Sequence, residues 1–348
     1  MNLVDTFLKL ISIESETGKE DNILDFIETF LEANNFQGEI KRNNGGIVAV
    51  PSKSSKKIAL VGHVDTVPIV PNQQYEFDND DLIGGRGSVD MKGGIAVILH
   101  SLIENSSEIV GVFYTAEESS YEDNGLNIIM PELLSNFDID FAIILEPTDN
   151  EIQLGCLGAL NATLTISGKA AHSARPWVGD NPIYKVKDVI KLVEDNEINE
   201  IEIDGLIFKQ VMSITKISSG IANNVIPETL MLNLNFRYSP ELNGSEASNY
   251  INDLFSDYVE VEILNTSDGA MPNKSEEKIS DFIKKTGAVV QPKQAWTDIA
   301  RFFEHKIPCV NFGPGNPLLA HATNEHVSKK QLLESYELLS GYLGVKSE

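Results

Sequence analysis

The sequence predicts an α/β fold, an α/β sandwich interrupted by a smaller α+β domain. Three observations predict it. In the first 145 residues, short continuous apolar runs alternate with stretches of helical periodicity. Two later segments, 160–166 and 230–237, switch to strict period-two alternation. Beyond about residue 268 the first pattern returns, with a helix, a strand and a helix over 298–342.

The elements follow in order. Residues 3–10 read as a short helix, and 21–31 as a clearer one, with Ile23, Leu24, Ile27, Phe30 and Leu31 on one face. The runs 47–50 and 58–61 suit strands covered on both faces, as in a mainly parallel sheet. Residues 69–81 read as a surface connection. A helix over 92–103, a strand over 109–114, a helix over 125–134 and a strand over 141–145 complete the first part. In 160–166, Leu160, Ala162, Leu164 and Ile166 alternate with polar residues; in 230–237, Leu230, Leu232, Leu234 and Phe236 alternate with Met231, Asn233, Asn235 and Arg237. Such strands have one wet or ligand-facing side. With helices expected at 182–194 and 245–255, they define an inserted domain at 157–268 within a first domain of 1–156 and 269–348. The last elements are a helix at 298–303, a strand at 307–312 and a helix at 329–342.

Composition narrows the function. The chain has 348 residues, 42% of them hydrophobic, which suits a globular protein with a sizeable core. Acids outnumber bases 52 to 27, a formal charge of -25, which argues against nucleic-acid and anionic-membrane partners. No run approaches the ~18 apolar residues of a membrane span. Cys156 and Cys309 read as structural thiols in a reducing cytoplasm. His100 and His305 read as structural histidines.

The chemistry gathers at strand ends. Gly84-Gly85-Arg86-Gly87-Ser88-Val89-Asp90 is a glycine-rich turn presenting one acid, with only Arg86 and Lys92 as nearby bases. His63 and Asp65 follow one expected strand, Glu117 and Glu118 a second, and Glu146 a third. In open α/β sheets ligands bind beyond the carboxyl ends of strands, so these groups converge on one crevice, with Asp90 and His321 to complete it. Imidazole and carboxylate donors without cysteine suit zinc or a similar metal. Two ions need about six ligands with one shared. Asp90 suits the bridge, His63 and Glu146 one ion, and Glu118 and His321 the other. Glu117 would then be free as general base, and Asp65 placed to orient His63. Dinucleotide, P-loop, H-E-x-x-H and G-x-S-x-G signatures are all incomplete or missing.

Gly62-His63-Val64-Asp65-Thr66-Val67-Pro68, Gly85-Arg86-Gly87-Ser88-Val89-Asp90-Met91-Lys92-Gly93-Gly94, Glu117-Glu118, Glu146-Pro147-Thr148 and Ala320-His321 together resemble the M20 family of co-catalytic zinc peptidases and deacylases. The resemblance runs over nearly the whole chain in the family's order. It implies a zinc-peptidase-like catalytic α/β sandwich with an inserted α+β, ferredoxin-like dimerisation or lid domain. It implies two Zn2+ per subunit, with Co2+ as a substitute, held by His63, Asp90, Glu118, Glu146 and His321. Glu117 is implied as the base and Asp65 as the support of His63. Gly168-Lys169-Ala170-Ala171-His172-Ser173 matches the segment whose histidine polarises the scissile carbonyl, from the partner subunit of a homodimer. Asn223, Asn224 and Arg237 match substrate-contacting positions.

Within the family, residues 172–182, 296–302 and 311–315 are most similar to succinyl-diaminopimelate desuccinylases of the actinobacterial type, and Thr297 is a further substrate-binding candidate. Cys156 and Leu157 stand where better-known desuccinylases carry an arginine. Binding of a substrate carboxylate would then pass to Arg175 or Arg237. The implied substrate is a small N-acyl amino acid; the competing readings are an acetylornithine deacetylase or another deacylase or dipeptidase, and a non-catalytic relative.

Overall fold

The computed structural model describes residues 1–52, 56–69, 76–104 and 109–344. The chain divides into two compact units, one of Met1–Leu154, Asn273–Gln291 and Arg301–Glu348, the other of Gly155–Pro272 and Pro292–Ala300. Each is built around its own sheet.

The first sheet has eight strands among the described residues, in the order Gly38–Asn43, Gly46–Pro51, Ile109–Tyr114, Lys56–His63, Asp138–Ile144, Cys309–Asn311, Ile152–Cys156 and Val290–Lys293. Its middle four strands are parallel, as the continuous apolar runs imply. The run at 47–50 does not follow that expectation. Its strand is fully buried yet antiparallel to both neighbours. A link of only Asn44 and Gly45 joins it to the preceding strand, too short for the crossover that a parallel pair requires.

Helix Gly93–Glu104 is buried from Gly93 through Leu102. It packs on Lys56–His63 and Ile109–Tyr114 and is itself covered by helices Leu3–Ile11, Asp21–Ala33 and Lys329–Leu343. His100 belongs to this packing: its Nε2 lies 2.9 Å from Thr6 Oγ1, and its ring meets Phe30 and Tyr336. The surface connection expected over 69–81 falls at 70–75 outside the described residues. Its far end is not loop, since Phe77–Asp78 pairs with Leu82–Gly84, which pairs in turn with His326–Ser328.

The second sheet is antiparallel, in the order Ile198–Ile203, Leu206–Ser219, Thr229–Tyr238, Gly158–Ser167 and Glu260–Ser267. Apart from the edge strand Ile198–Ile203, the chain order β-α-β-β-α-β and this spatial order are those of a ferredoxin-like fold. Burial alternates residue by residue along Gly158–Ser167 and Thr229–Tyr238. The inner face, from Leu160 to Phe236, packs with Val189 and Val193 of helix Pro182–Glu194 and with Ala247, Ile251 and Phe255 of helix Gly244–Phe255. The opposite face carries an amide ladder: Asn161 Nδ2 donates to Asn265 Oδ1 at 3.1 Å, and Asn235 Nδ2 donates to Asn161 Oδ1 at 3.0 Å.

The close approach of helix Gly93–Glu104 to the residues just before Glu146 depends on Gly94. A Cβ there would stand 2.3 Å from the Leu145 carbonyl oxygen. In an exposed helix, glycine to alanine gains about 1 kcal/mol. Here the clash with fixed backbone should reverse the sign, and Gly94→Ala should lose ~1–3 kcal/mol of unfolding free energy. Denaturant unfolding of the two proteins measures it; a more stable variant would show that the contact is slack.

Candidate metal centre

Six sequence-predicted residues meet in the first unit. His63 ends the strand Lys56–His63, and its imidazole is buried. Glu117 and Glu118 follow the neighbouring strand Ile109–Tyr114, and Glu146 follows Asp138–Ile144 on the other side. Parallel pairing brings the ends of these strands side by side, His63 opposite Tyr114. Asp90 reaches them from an irregular turn, Ser88–Lys92, whose torsions at Asp90 and Met91 are not helical. His321 comes from the loop before His326–Ser328.

Asp90 sits at the centre. Its Oδ1 lies 2.9 Å from His63 Nε2, and its Oδ2 lies 3.2 Å from His321 Nε2. On the first side, Glu146 Oε1 is 3.9 Å from His63 Nε2. On the second, Glu118 Oε1 is 2.8 Å from His321 Nε2. Donor atoms of His63, Asp90 and Glu146 lie within 4.8 Å of one another, as do those of Asp90, Glu118 and His321. Those of His63, Glu117 and Glu118 form a third such group. Two clusters that share one carboxylate, one oxygen facing each, fit a pair of metal ions with oxygen and nitrogen ligands.

The backbone around the centre is held under constraint. Ala116 and His321 both adopt left-handed torsions, φ 56° and 62°, which cost a residue with a Cβ. Asp65 accounts for much of the restraint. Its Oδ1 accepts from the Glu117 N–H at 3.0 Å, and its Oδ2 accepts from the Glu118 N–H at 3.1 Å and the Thr17 hydroxyl at 2.8 Å. His63 Nδ1 lies 3.5 Å from Asp65 Oδ1 and 3.0 Å from the Asp65 carbonyl oxygen. The residue therefore orients the Glu117-Glu118 turn at least as directly as it orients His63. Thr17 carries no sequence signal for this task. The two bases nearest Asp90 in sequence are engaged elsewhere: Lys92 Nζ donates to the Ile13 carbonyl at 2.7 Å, and Arg86 pairs with Glu325 at 2.9 Å.

Electrostatics follow from the crowding of acids. Hydrogen bonds to Asp90 and Glu118 push the His321 imidazole up from 6.5 to about 10. Burial disfavours a charged His63, but hydrogen bonds to Asp65 and Asp90 outweigh it and raise that imidazole well above its ordinary value. Burial likewise works against an ionised Asp90, yet His321 and His63 hold its carboxyl well below the usual range. A raised imidazole stabilises the folded metal-free state fully below about 6.5, and that contribution is lost as pH climbs through about 10. Half-exposed His321 feels this less than buried His63.

The remaining candidates lie in the second unit. The pair Ala171–His172 bridges to Val225–Ile226, and Ser173 N–H donates to the Asn224 carbonyl at 2.9 Å, so the His172 loop and the Asn223-Asn224 loop are neighbours. Arg175 is exposed in that first loop. Arg237 lies on the amide-ladder face of Thr229–Tyr238, opposite Ala159. Its guanidinium makes no hydrogen bond or ion pair among the described residues, and burial lowers it below the ordinary value. Thr297 is buried, its carbonyl within 3.8 Å of the Cys156 thiol.

The model of peptidase family M20/M25/M40 matches residues 59–344. A Mycobacterium tuberculosis protein with the provisional name succinyl-diaminopimelate desuccinylase is 37% identical over 340 residues, spanning 96% of both chains. The succinyl-diaminopimelate desuccinylase of Corynebacterium glutamicum is 34% identical, over 96% of this chain and 94% of that one. In three dimensions a tripeptidase from Staphylococcus aureus superposes with a TM-score of 0.78 at 22% identity, covering 98% of this chain and 96% of the other. The chain belongs to peptidase family M20/M25/M40.

Proposed function

We propose that the protein is a di-zinc amidohydrolase that removes the succinyl group from N-succinyl-LL-2,6-diaminopimelate. The observation that carries the metal reading is Asp90, which turns one oxygen to each of two histidine–carboxylate clusters. His63 and Glu146 would hold one ion, Glu118 and His321 the other. The substrate reading is supported by the names of the 34–37% identical relatives. Bound zinc supplies Lewis-acid polarisation of the amide carbonyl and lowers the pKa of water. Glu117 takes the proton of the attacking water and returns it to the leaving amine. Asp65 keeps Glu117 in place through the backbone N–H. Released products are succinate and LL-2,6-diaminopimelate, placing the enzyme in lysine and cell-wall precursor synthesis. Two buried cysteines outside any disulfide suit the cytoplasm, and among the described residues no helix is long and apolar enough to cross a membrane.

The inserted unit supplies substrate recognition and assembly. It serves as the dimerisation module of a homodimer and offers His172, which polarises the scissile carbonyl in the partner's site. Arg237, without an anionic partner among the described residues and partly desolvated, is the better candidate for the distal carboxylate; Arg175 is the more exposed alternative. Asn223, Asn224 and Thr297 complete the proposed contacts.

Three outcomes are expected. Metal must displace protons from the raised imidazoles, so calorimetric titration of metal-free protein should show two zinc ions bound and roughly one to two protons released at pH 7. Apparent affinity should rise with pH toward about 10, where His321 loses its proton. No proton release would remove the imidazoles from the ligand set. For selectivity, an acetyl substrate would leave the guanidinium unpaired, a loss of about tenfold to a hundredfold. Steady-state kinetics should favour the succinyl substrate over N-acetylornithine by at least about tenfold in kcat/KM, and Arg237→Ala should narrow the ratio. Equal hydrolysis of both would favour the deacetylase alternative. Finally, mixing inactive His172→Ala and inactive Glu117→Gln proteins under subunit exchange should restore activity, because one mixed site is intact. Exchange without recovery would place His172 in its own subunit's site or outside catalysis.

A further inference from the structure

The turn that carries Asp90 closes around a second carboxylate, that of Glu325. Glu325 Oε1 accepts from the Val89 N–H at 2.9 Å and from the Asp90 N–H at 3.2 Å. Its Oε2 accepts from the Gly87 N–H at 3.2 Å and from Arg86 at 2.9 Å. Its main-chain oxygen accepts from the Gly85 N–H at 3.2 Å. The side chain is 2% exposed. Successive N–H groups converging on one point form an anion-binding nest, and here the chain fills its own nest. Gly87 permits this with φ 76°, where a Cβ would also strike Thr66 at 2.6 Å. Both oxygens of Glu325 are fully engaged, so the residue is not itself a ligand candidate.

Its position in sequence gives the contact a consequence. Glu325 lies four residues beyond His321 in the same loop, and the next residues, His326–Ser328, pair with Leu82–Gly84 just before the turn. One buried side chain thus joins the backbone bearing Asp90 to the loop bearing His321, whose side chains meet at 3.2 Å. We propose that Glu325 is a positioning residue of the metal centre, setting the separation and aim of Asp90 and His321 through three backbone N–H groups rather than through charge on the ions. This rests on the two-ion reading above.

Glu325→Gln keeps the shape but leaves one acceptor oxygen where there were two, and turns an NH2 toward existing donors. Loss of an outer partner of a metal ligand typically weakens metal affinity 10–100-fold. The test combines zinc titration with hydrogen exchange of the metal-free protein. Glu325→Gln should bind one of two zinc ions ~10–100-fold more weakly, and exchange should quicken at residues 85–90 while the Glu117-Glu118 turn, held by Asp65, stays protected. The double variant Arg86→Met/Glu325→Gln should remain weak. Its recovery to wild-type affinity would mean that Glu325 only balances Arg86, and would overturn the proposal, as would unchanged affinity and exchange in Glu325→Gln. Where that variant folds poorly, Glu325→Asp keeps the charge one methylene short. Exchange confined to residues 85–90 then supports positioning, and exchange quickened throughout the chain refutes it. Should wild-type protein bind fewer than two ions, the two-ion reading fails, while the exchange pattern still decides the role of Glu325.

Discussion

Asp90 shares its carboxylate between two imidazoles, and the architecture around it serves to hold that one group still. A largely enclosed acid flanked by Glu117, Glu118 and Glu146 is costly unless positive charge meets it. In the metal-free state protons on His63 and His321 supply the charge, and a pair of cations would supply more of it. The parallel strands bring His63, Glu118 and Glu146 to neighbouring ends, but Asp90 and His321 arrive from irregular backbone. That irregular backbone is what needs extra fastening, and two buried carboxylates provide it. Asp65 grips the Glu117-Glu118 turn, and Glu325 grips the Asp90 turn.

Much of the fold was legible because burial and periodicity agree. The run at 109–114 is buried at every residue and forms the strand Ile109–Tyr114. The alternation at 160–166 and 230–237 appears as two paired strands, each with one face in the core. Strands were missed where the signal is weak. Ile198–Ile203 is largely exposed and rich in glutamate, so it shows no apolar alternation. Its hairpin with Leu206–Ser219 could have been found from the turn alone. Asp204 and Gly205 both adopt positive φ, as the tight hairpin turn with Asp-Gly requires. The orientation of 46–51 was hidden because complete burial does not distinguish parallel from antiparallel neighbours.

The site divides in the same way. Ligand candidates follow apolar runs, and strand ends are where an α/β sheet collects chemistry, so His63, Glu118 and Glu146 were accessible to reasoning from sequence. Thr17 and Glu325 were not. Each is an ordinary polar residue in a loop, and its importance comes from backbone N–H groups that sequence does not display. Arg237 is intermediate: the alternation puts it on the open face of its strand, but only the structure reveals that among the described residues no acid pairs with its side chain.

The spread of these residues along the polypeptide bears on how the protein is made. The ribosome delivers His63, Asp90, Glu117, Glu118 and Glu146 before residue 155, and then all of residues 155–272, before His321 and Glu325 appear. During that interval the nascent chain displays a cluster of acids with one imidazole, and a glycine turn whose N–H groups have no carboxylate to close upon. Domains tend to fold as they emerge, but here the first unit lacks its closing pieces until residues 321–325 have been made. Completion of the sheet ends is therefore a late event, and a chain released early would retain the mutual repulsion of these acids without the groups that relieve it.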